Sequence, residues 1–152
     1  MTRNTLILLA AGGSAALMLG ALGFQYIGEM PPCKLCYWQR YPHIAAIVIG
    51  VSALFLSTRA LPALGALAAL VTAAIGAYHT GVERKWWEGP TSCTSGSVAD
   101  MSSSDLLAQI MAAPLVRCDE VPWALFGLSM ASWNMLASVA LAVIWIMALR
   151  KA

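Results

Sequence analysis

Charged residues are scarce in this 152-residue chain, at 11% of the sequence, whereas an ordinary soluble domain has about 25%. Hydrophobic residues make up 60% instead. A soluble fold of this length could not bury so much apolar surface, but a lipid bilayer accepts helices that are apolar all round. The net charge is only +2, and the sequence lacks a basic cluster interleaved with aromatic residues. We therefore expect a lipid bilayer as a partner and no nucleic acid.

The sequence also lacks internal repeats and low-complexity tracts, so we expect one integral membrane domain over residues 1–152. Four apolar segments approach the roughly 20 residues that a membrane-spanning helix needs. They predict spans at residues 5–27, 41–57, 61–80 and 131–149. The first run exceeds the apolar core of a signal peptide, about 7–15 residues, so we expect it to remain as a span. The predicted fold class is an all-α membrane protein, a four-helix transmembrane bundle.

Acidic residues are absent from the N-terminus, from the link after the second span and from the C-terminus. These segments instead carry the basic residues Arg3, Arg59, Arg150 and Lys151. The other two connecting segments hold all seven acids but also five basic residues, so raw counts of Lys and Arg do not decide the orientation. The tight basic segments favour both termini in the cytoplasm, with residues 28–40 and 81–130 on the outer side.

The longer outer segment contains a second helical pattern. Ser102-Ser103-Ser104-Asp105 is typical of a helix start, with the carboxylate in the first turn. One apolar face follows, and Pro114 ends the pattern; the face consists of Leu106, Leu107, Ile110 and Met111. The pattern predicts a short amphipathic helix, which either lies on the membrane surface or packs on the other loops.

All four cysteines lie in the outer segments, at Cys33, Cys36, Cys93 and Cys118, and none lies in a span. The outer side of a membrane is the oxidising side, where disulfides persist. Three interpretations compete: two structural disulfides, a zinc site, and redox catalysis. A four-cysteine zinc site usually needs two close pairs, and Cys93 and Cys118 are about 25 residues apart, so we expect no metal.

Redox catalysis is favoured by the surroundings of Cys33 and Cys36. They form a C-x-x-C unit that opens a helix, and both the spacing and the helix N-terminus stabilise a thiolate. Arg40 follows Cys36 by one helical turn, so its charge favours the same thiolate. Arg40 is alternatively a side chain that only reaches for the lipid headgroups. We interpret His43, in the second span, as a packed polar residue rather than a ligand.

Residues 33–40, Cys-Lys-Leu-Cys-Tyr-Trp-Gln-Arg, resemble the C-x-L-C-x-x-Q-R signature of the DsbB family of bacterial inner membranes. The resemblance extends over the whole chain. Further matches are Tyr78-His79-Thr80, the loop pair Cys93 and Cys118, Cys118-Asp119-Glu120, Trp123, Phe126-Gly127-Leu128-Ser129-Met130 and Trp133. One position departs from the pattern, because Ala131 stands where many members have proline.

The resemblance implies a quinone-dependent protein-disulfide oxidoreductase whose outer segments lie in the periplasm. A periplasmic thiol oxidase similar to DsbA would reduce the Cys93–Cys118 disulfide, with Cys93 taking the mixed disulfide. Electrons would pass to the Cys33–Cys36 disulfide and then to ubiquinone or menaquinone. Cys36, Arg40 and His79 would contact the quinone. This relay from DsbA through DsbB to a quinone is general knowledge of the family.

Two other functions remain as alternatives. A membrane-anchored scaffold with two structural disulfides would show no quinone reduction. A reductant that passes cytoplasmic electrons outward would need cysteines in the membrane or facing the cytoplasm, and the predicted topology has none there.

Overall fold

The computed structural model describes residues 1–90, 102, 104, 107, 111 and 116–151. Four long helices dominate these residues. Their bounds are α1, Arg3–Tyr26; α2, Lys34–Phe55; α3, Ala60–Glu83; and α4, Met130–Leu149. A two-stranded hairpin, β1 (Ala124–Leu125) and β2 (Leu128–Ser129), leads directly into α4. The described part of the chain is therefore all-α apart from this short hairpin.

Within the described residues, three helices are long and apolar enough to cross a membrane, namely α1, α3 and α4. The remaining long helix, α2, has a polar first half that contains Gln39, Arg40 and His43. It begins at Lys34, well before the predicted span at residues 41–57, because Cys33 caps it. Its 22 residues extend about 33 Å at 1.5 Å per residue, so α2 includes most of the predicted span and the seven residues before it.

Side-chain oxygens or sulfurs cap three of the helices. The Thr2 hydroxyl accepts from the backbone N–H of Thr5 at 3.3 Å, and the Ser129 hydroxyl caps α4 in the same way. The cap of α2 is Cys33, whose Sγ accepts from the N–H of Cys36 at 3.2 Å. Capping satisfies backbone donors that the first helical turn leaves free. The redox motif is thus also the start signal of its helix.

Small residues let the helices approach closely. α3 packs mainly against α4 and α2, while α1 packs against α2 and α4. A Cβ added to Gly65 of α3 would lie 2.5 Å from the ring of Trp145, a fully buried side chain of α4. Gly50 lies in similar contact with Ala11. Small residues at these positions therefore permit the close helix packing.

Large apolar side chains on the outside of the bundle are exposed along all four helices, for example Leu19, Val48, Leu67 and Val143. Such a surface suits lipid as the surrounding solvent. Polar contacts connect the helix ends instead: an Arg3 Nη atom donates to the backbone oxygen of Leu56 at 3.1 Å. The start of α1 and the end of α2 therefore lie at the same end of the bundle, opposite the Cys33 and Cys36 end.

The loop before α4 is described in part. Ser104, Leu107 and Met111 are helical, and the rest of the predicted amphipathic helix, like Cys93, lies outside the described residues. The hairpin turn places Phe126 at φ 53° and Gly127 at φ 75°, as a two-residue turn of type I′ requires. This turn directs the chain from the cysteine end of the bundle into α4.

Candidate functional site

Cys33 and Cys36 meet at the first turn of α2. Their sulfur atoms lie 2.7 Å apart, with Cys33 buried and Cys36 half-buried. Two thiolates bound to one tetrahedral zinc ion at about 2.3 Å would lie about 3.8 Å apart. His79 adds a third donor atom, and the three fall within 4.8 Å of one another. The close sulfurs suit thiol–disulfide exchange better than a zinc site, and the absence of a metal stays a prediction.

The two thiols share one proton unequally. Both precede the predicted span that starts at residue 41. The hydrogen bond from the Cys33 thiol lowers the pKa of Cys36, and the nearby charge of Arg40 lowers it further, while burial opposes both. The same hydrogen bond, together with burial, raises the pKa of Cys33. A single negative charge on the pair is therefore favoured on Cys36, the thiol that Arg40 follows by one helical turn.

Arg40 bridges two helices as well as facing the thiol pair. One Nη atom donates to Gln25 Oε1 at 2.6 Å, and the other donates to the backbone oxygen of Ala21 at 3.4 Å. The guanidinium also lies 5.2 Å from the centre of the Tyr37 ring. From the sequence, the expected partners of Arg40 were the Cys36 thiolate and a quinone, or alternatively the lipid headgroups. The structure adds neutral partners on α1, which hold the guanidinium in place.

Cys118 packs against the C-x-x-C pair. It is fully buried in a cluster with Cys33, Leu35 and Val82. The neighbouring Arg117 and Asp119 form an exposed ion pair at 2.7 Å, which lowers the pKa of the Asp119 carboxyl. The second loop cysteine is thus brought to the first pair across 85 residues of chain.

A chain of amide and imidazole groups crosses the bundle beside the cysteines. Gln39 Nε2 lies 3.2 Å from the backbone oxygen of Leu35, which can only accept, so the amide nitrogen must face it. Gln39 Oε1 then accepts from Asn134 Nδ2 at 2.7 Å. Asn134 Oδ1 accordingly accepts from His43 Nε2 at 2.9 Å. The backbone carbonyl of Leu35 therefore determines which atoms donate in the hydrogen bonds among Gln39, Asn134 and His43.

Gln39 also sets the tautomer of His79. Its Nε2 donates to His79 Nδ1 at 2.9 Å, so the proton of the neutral ring sits on Nε2. That Nε2–H faces Cys33 Sγ at 3.6 Å and Glu83 Oε1 at 3.9 Å, and the ring also hydrogen-bonds to the backbone of Cys118. The family resemblance predicts His79 beside a quinone ring. In the structure, the Nε2–H of His79 lies next to Cys33 Sγ.

A cavity of about 440 Å³ opens beside the thiol pair, between the four helices and the residues before the hairpin. This volume falls within the range of small-molecule sites, about 300–1,000 Å³. Its lining is mostly apolar, with a few polar groups that include Cys36, Arg40, His43 and His79. Four of the predicted site residues, Cys33, Cys36, Arg40 and His79, therefore line one cavity.

The family profile described as "Disulfide bond formation protein DsbB" matches residues 3–148, nearly the whole chain. The chain belongs to the DsbB family. It is therefore a multi-pass membrane protein of disulfide bond formation, and an oxidoreductase acting on disulfide bonds. A lipid bilayer is its expected environment, as its composition predicted.

Several relatives named disulfide bond formation protein B support this membership. The protein of Shewanella sp. (strain MR-4) is 30% identical over 138 residues, which cover 86% of this chain and 77% of that protein. The protein of Methylococcus capsulatus (strain Bath) is 31% identical over 135 residues, covering 84% of this chain and 82% of that protein. The protein of Polaromonas sp. (strain JS666) is 28% identical over 157 residues, covering 95% and 88%. No solved structure matches the chain.

Sequence analysis of this DsbB family member missed several polar residues that position the site. They are Gln25, Thr72, Glu83, Ser129 and Asn134. Thr72 donates to the backbone oxygen of Gln39, and the Ser129 hydroxyl donates to Glu83. The sequence does contain a signal for such residues, because polar side chains within apolar helices usually face the bundle interior and have a functional role. Ala131, where many DsbB members have proline, is buried in the first turn of α4.

Proposed function

We propose that this protein reoxidises a periplasmic, DsbA-like thiol oxidase and passes the electrons to a membrane quinone. One observation carries the proposal: buried Cys118 packs against Cys33, whose partner Cys36 lines the cavity. A donor thiol and a cavity that could accept the electrons thus both adjoin the same cysteine pair.

In the first exchange, a thiolate of the reduced partner attacks the Cys93–Cys118 disulfide. By family resemblance Cys93 forms the mixed disulfide, and Cys118 leaves as a thiolate. The second thiol of the partner then attacks the mixed disulfide, so the partner is oxidised and the loop pair is reduced. Two electrons and two protons have moved from the partner to this protein.

In the second exchange, the Cys118 thiolate attacks Cys33 of the Cys33–Cys36 disulfide. Cys36 is the leaving group, and a thiol of lower pKa leaves faster, which the hydrogen bond from Cys33 and the charge of Arg40 favour. Cys93 then attacks Cys118 of the new Cys33–Cys118 bond and restores the loop disulfide. The first pair is left reduced, with the negative charge on Cys36 at the cavity.

The cavity residues fit a quinone, because an apolar lining suits the ring and Arg40 offers charged donors to a ring oxygen. Cys36, Arg40 and His79 would hold it. When bound, a quinone supplies a two-electron oxidant, which is needed because a DsbA-like partner has a potential of about −120 mV. Re-formation of the Cys33–Cys36 disulfide releases two electrons toward this cavity. Cys33 gives up one proton in this step, and the other proton was released when Cys36 became a thiolate.

The same proposal places the protein in the bacterial inner membrane with both termini in the cytoplasm. Arg3 is hydrogen-bonded to the end of α2, so this basic residue lies at the end of the bundle opposite the cysteines. Residues 28–40 and 81–130 would then face the periplasm, where the partner resides. The predicted spans at 5–27, 41–57, 61–80 and 131–149 remain part of the proposal.

The test uses the purified full-length protein in detergent, a reduced DsbA-like protein and a soluble short-chain benzoquinone. We expect one quinone to be reduced for each partner oxidised, and none when Cys118→Ala replaces the parent. Partner oxidation without quinone reduction would refute the quinone arm. Absence of both would favour the scaffold with structural disulfides.

A further inference from the structure

Closure of the Cys33–Cys36 disulfide needs a proton acceptor that the proposed mechanism does not name. The proton of the reduced pair resides on Cys33, because the hydrogen bond with Cys36 and burial raise the pKa of the Cys33 thiol. A thiolate, and not a thiol, forms the new sulfur–sulfur bond. A base near Cys33 would therefore speed the step in which the pair is oxidised again.

His79 is the imidazole that faces Cys33, yet it cannot act as this base. Its Nδ1 accepts from Gln39 Nε2 at 2.9 Å, so Nε2 carries the proton of the neutral ring. That N–H lies 3.6 Å from Cys33 Sγ and can only donate. The other imidazole of the cavity, His43, lies about 10 Å beyond Cys36 along α2.

Glu83 is a buried carboxylate at the same imidazole. It ends α3 and lines the cavity, and its side chain is 5% exposed. Its Oε1 lies 3.9 Å from His79 Nε2, so Glu83 and Cys33 face the same N–H. Its Oε2 accepts from the Ser129 hydroxyl, and no Lys or Arg of the described residues forms an ion pair with it. A buried carboxylate with so few partners is costly, and such groups concentrate at functional sites.

We propose that Glu83 accepts the proton of Cys33 when the Cys33–Cys36 disulfide forms. The inference rests on the proposed function, which sets the direction of the reaction. The proton passes from sulfur to carboxylate directly or through one water molecule of the cavity, as general-base catalysis permits. The N–H of His79 then donates to the new Cys33 thiolate instead of facing a charged Glu83. One donor thus serves whichever of the two groups carries the negative charge.

The step balances in electrons and protons. Cys33 loses its proton to Glu83, its sulfur bonds to the sulfur of Cys36, and two electrons leave the pair for the oxidant, which is a quinone in the proposed function. Glu83 then releases the proton into the cavity and becomes a carboxylate again. Reduction of a quinone consumes two protons. One is this proton, and the other is replaced by the proton that Cys36 released when it became a thiolate.

Other charged groups approach Glu83 from three segments. Besides His79 and the two cysteines, they are Arg84 of α3, Arg40 of α2, and Arg117 and Glu120 of the segment before the hairpin. The parts of α1 and α4 that line the cavity contain no acid or base. Glu120 is the other carboxylate of the lining, but its side chain is 65% exposed and is paired with Arg117. Glu120→Gln is therefore the matched control.

The closing step is isolated in full-length protein with Cys93→Ser and Cys118→Ser, which keeps only the first cysteine pair. The reduced protein is mixed with one equivalent of dithiodipyridine. Attack by Cys36 releases one thiopyridone, and closure by Cys33 releases the second, so absorbance separates the two steps. The rate of the second release is measured against pH. A parallel series uses decylubiquinone as the oxidant.

The parent should close its disulfide at a rate that is nearly independent of pH around neutrality, because the carboxylate takes the proton. Glu83→Gln keeps an oxygen for Ser129 but removes the base, so closure at neutral pH should be about a hundred- to ten-thousandfold slower. Its rate should rise about tenfold per pH unit, because only solvent hydroxide then removes the proton. Glu83→Asp should keep the flat profile at a lower rate, and it provides the test if the amide variant does not fold. Glu120→Gln should match the parent.

An unchanged rate in Glu83→Gln would overturn the inference. A slower rate with the pH dependence of the parent would also overturn it, since Glu83 would then only pack the site. A rising profile in folded Glu83→Asp would contradict it as well. The two oxidants separate this inference from the proposed function. If Glu83→Gln slows closure by dithiodipyridine but the parent reduces no quinone, the quinone arm fails and the role of Glu83 stands. If the parent reduces quinone and Glu83→Gln does so equally fast, the inference fails and the proposed function stands.

Discussion

Removing the charge of Arg40 should raise the pKa of Cys36. The two residues are one helical turn apart, about 6 Å between neighbouring side chains. At an effective dielectric constant of about 20, a unit charge at that distance contributes about 3 kcal/mol. Arg40 is only partly buried and is also engaged by Gln25, so solvent screening reduces this to about 1.4 kcal/mol, or about one pH unit.

The assay follows the alkylation rate of Cys36 against pH in a protein with Cys33→Ser, Cys93→Ser and Cys118→Ser. Serine at position 33 keeps a hydroxyl that can donate to Cys36. Arg40→Ala should move the midpoint up by about one pH unit, which lowers the thiolate fraction at neutral pH up to about tenfold. Arg40→Lys keeps the charge but loses the planar guanidinium, so its midpoint should lie between those of the parent and Arg40→Ala.

Lys34→Ala provides the matched control. Lys34 is also a cation near Cys36, but residues two apart on a helix do not face each other, so its removal should move the midpoint less. An unchanged profile in folded Arg40→Ala protein would refute the reasoning. Arg40 would then serve only as an anchor between α1 and α2. Quinone reduction should fall about ten- to a thousandfold in Arg40→Ala, because charge-assisted contacts of about 1.5–3 kcal/mol each are lost.

Three further predictions follow from packing, topology and exchange order. Gly65→Ala should lower the free energy of unfolding by about 1–3 kcal/mol in detergent, because the new methyl group overlaps Trp145. Gly12→Ala should not lower it, because the space around Gly12 is open. Equal stabilities of the two variants would contradict this packing. A membrane-impermeant thiol reagent should label both reduced cysteine pairs in intact spheroplasts, and protection of either pair would contradict the orientation. Cys118→Ala should trap the partner through Cys93; a partner trapped at Cys33 would reverse the proposed order.

Local sequence spacing was enough to predict the fold class and the thiolate end of the site. Apolar runs of membrane length predict helices, and a period of 3.6 residues places Arg40 one turn from Cys36. The helix start at Cys33 was also predictable, because the C-x-x-C unit opens a helix. These features depend only on neighbouring residues.

Contacts between distant segments were not predictable. The approach of Cys118 to Cys33 depends on how the chain between α3 and α4 folds, and no local pattern specifies it. The hydrogen bonds from Gln39 through Asn134 to His43 depend on the rotation and depth of α2 and α4 relative to each other. Our interpretation of His43 as a packed polar residue accounts for its Nε2 but leaves its Nδ1 unexplained.

The central claim is that electrons enter the C-x-x-C pair through Cys118 and Cys33. A Cys36→Ala, Cys93→Ala protein leaves only these two thiols, which are expected to join under mild oxidation because they share one buried cluster. Mass spectrometry of the unreduced digest should then find the peptides of Cys33 and Cys118 linked within one chain. The matched Cys33→Ala, Cys93→Ala protein should link Cys36 to Cys118 much more slowly. Faster linkage through Cys36 than through Cys33 would contradict the proposed route.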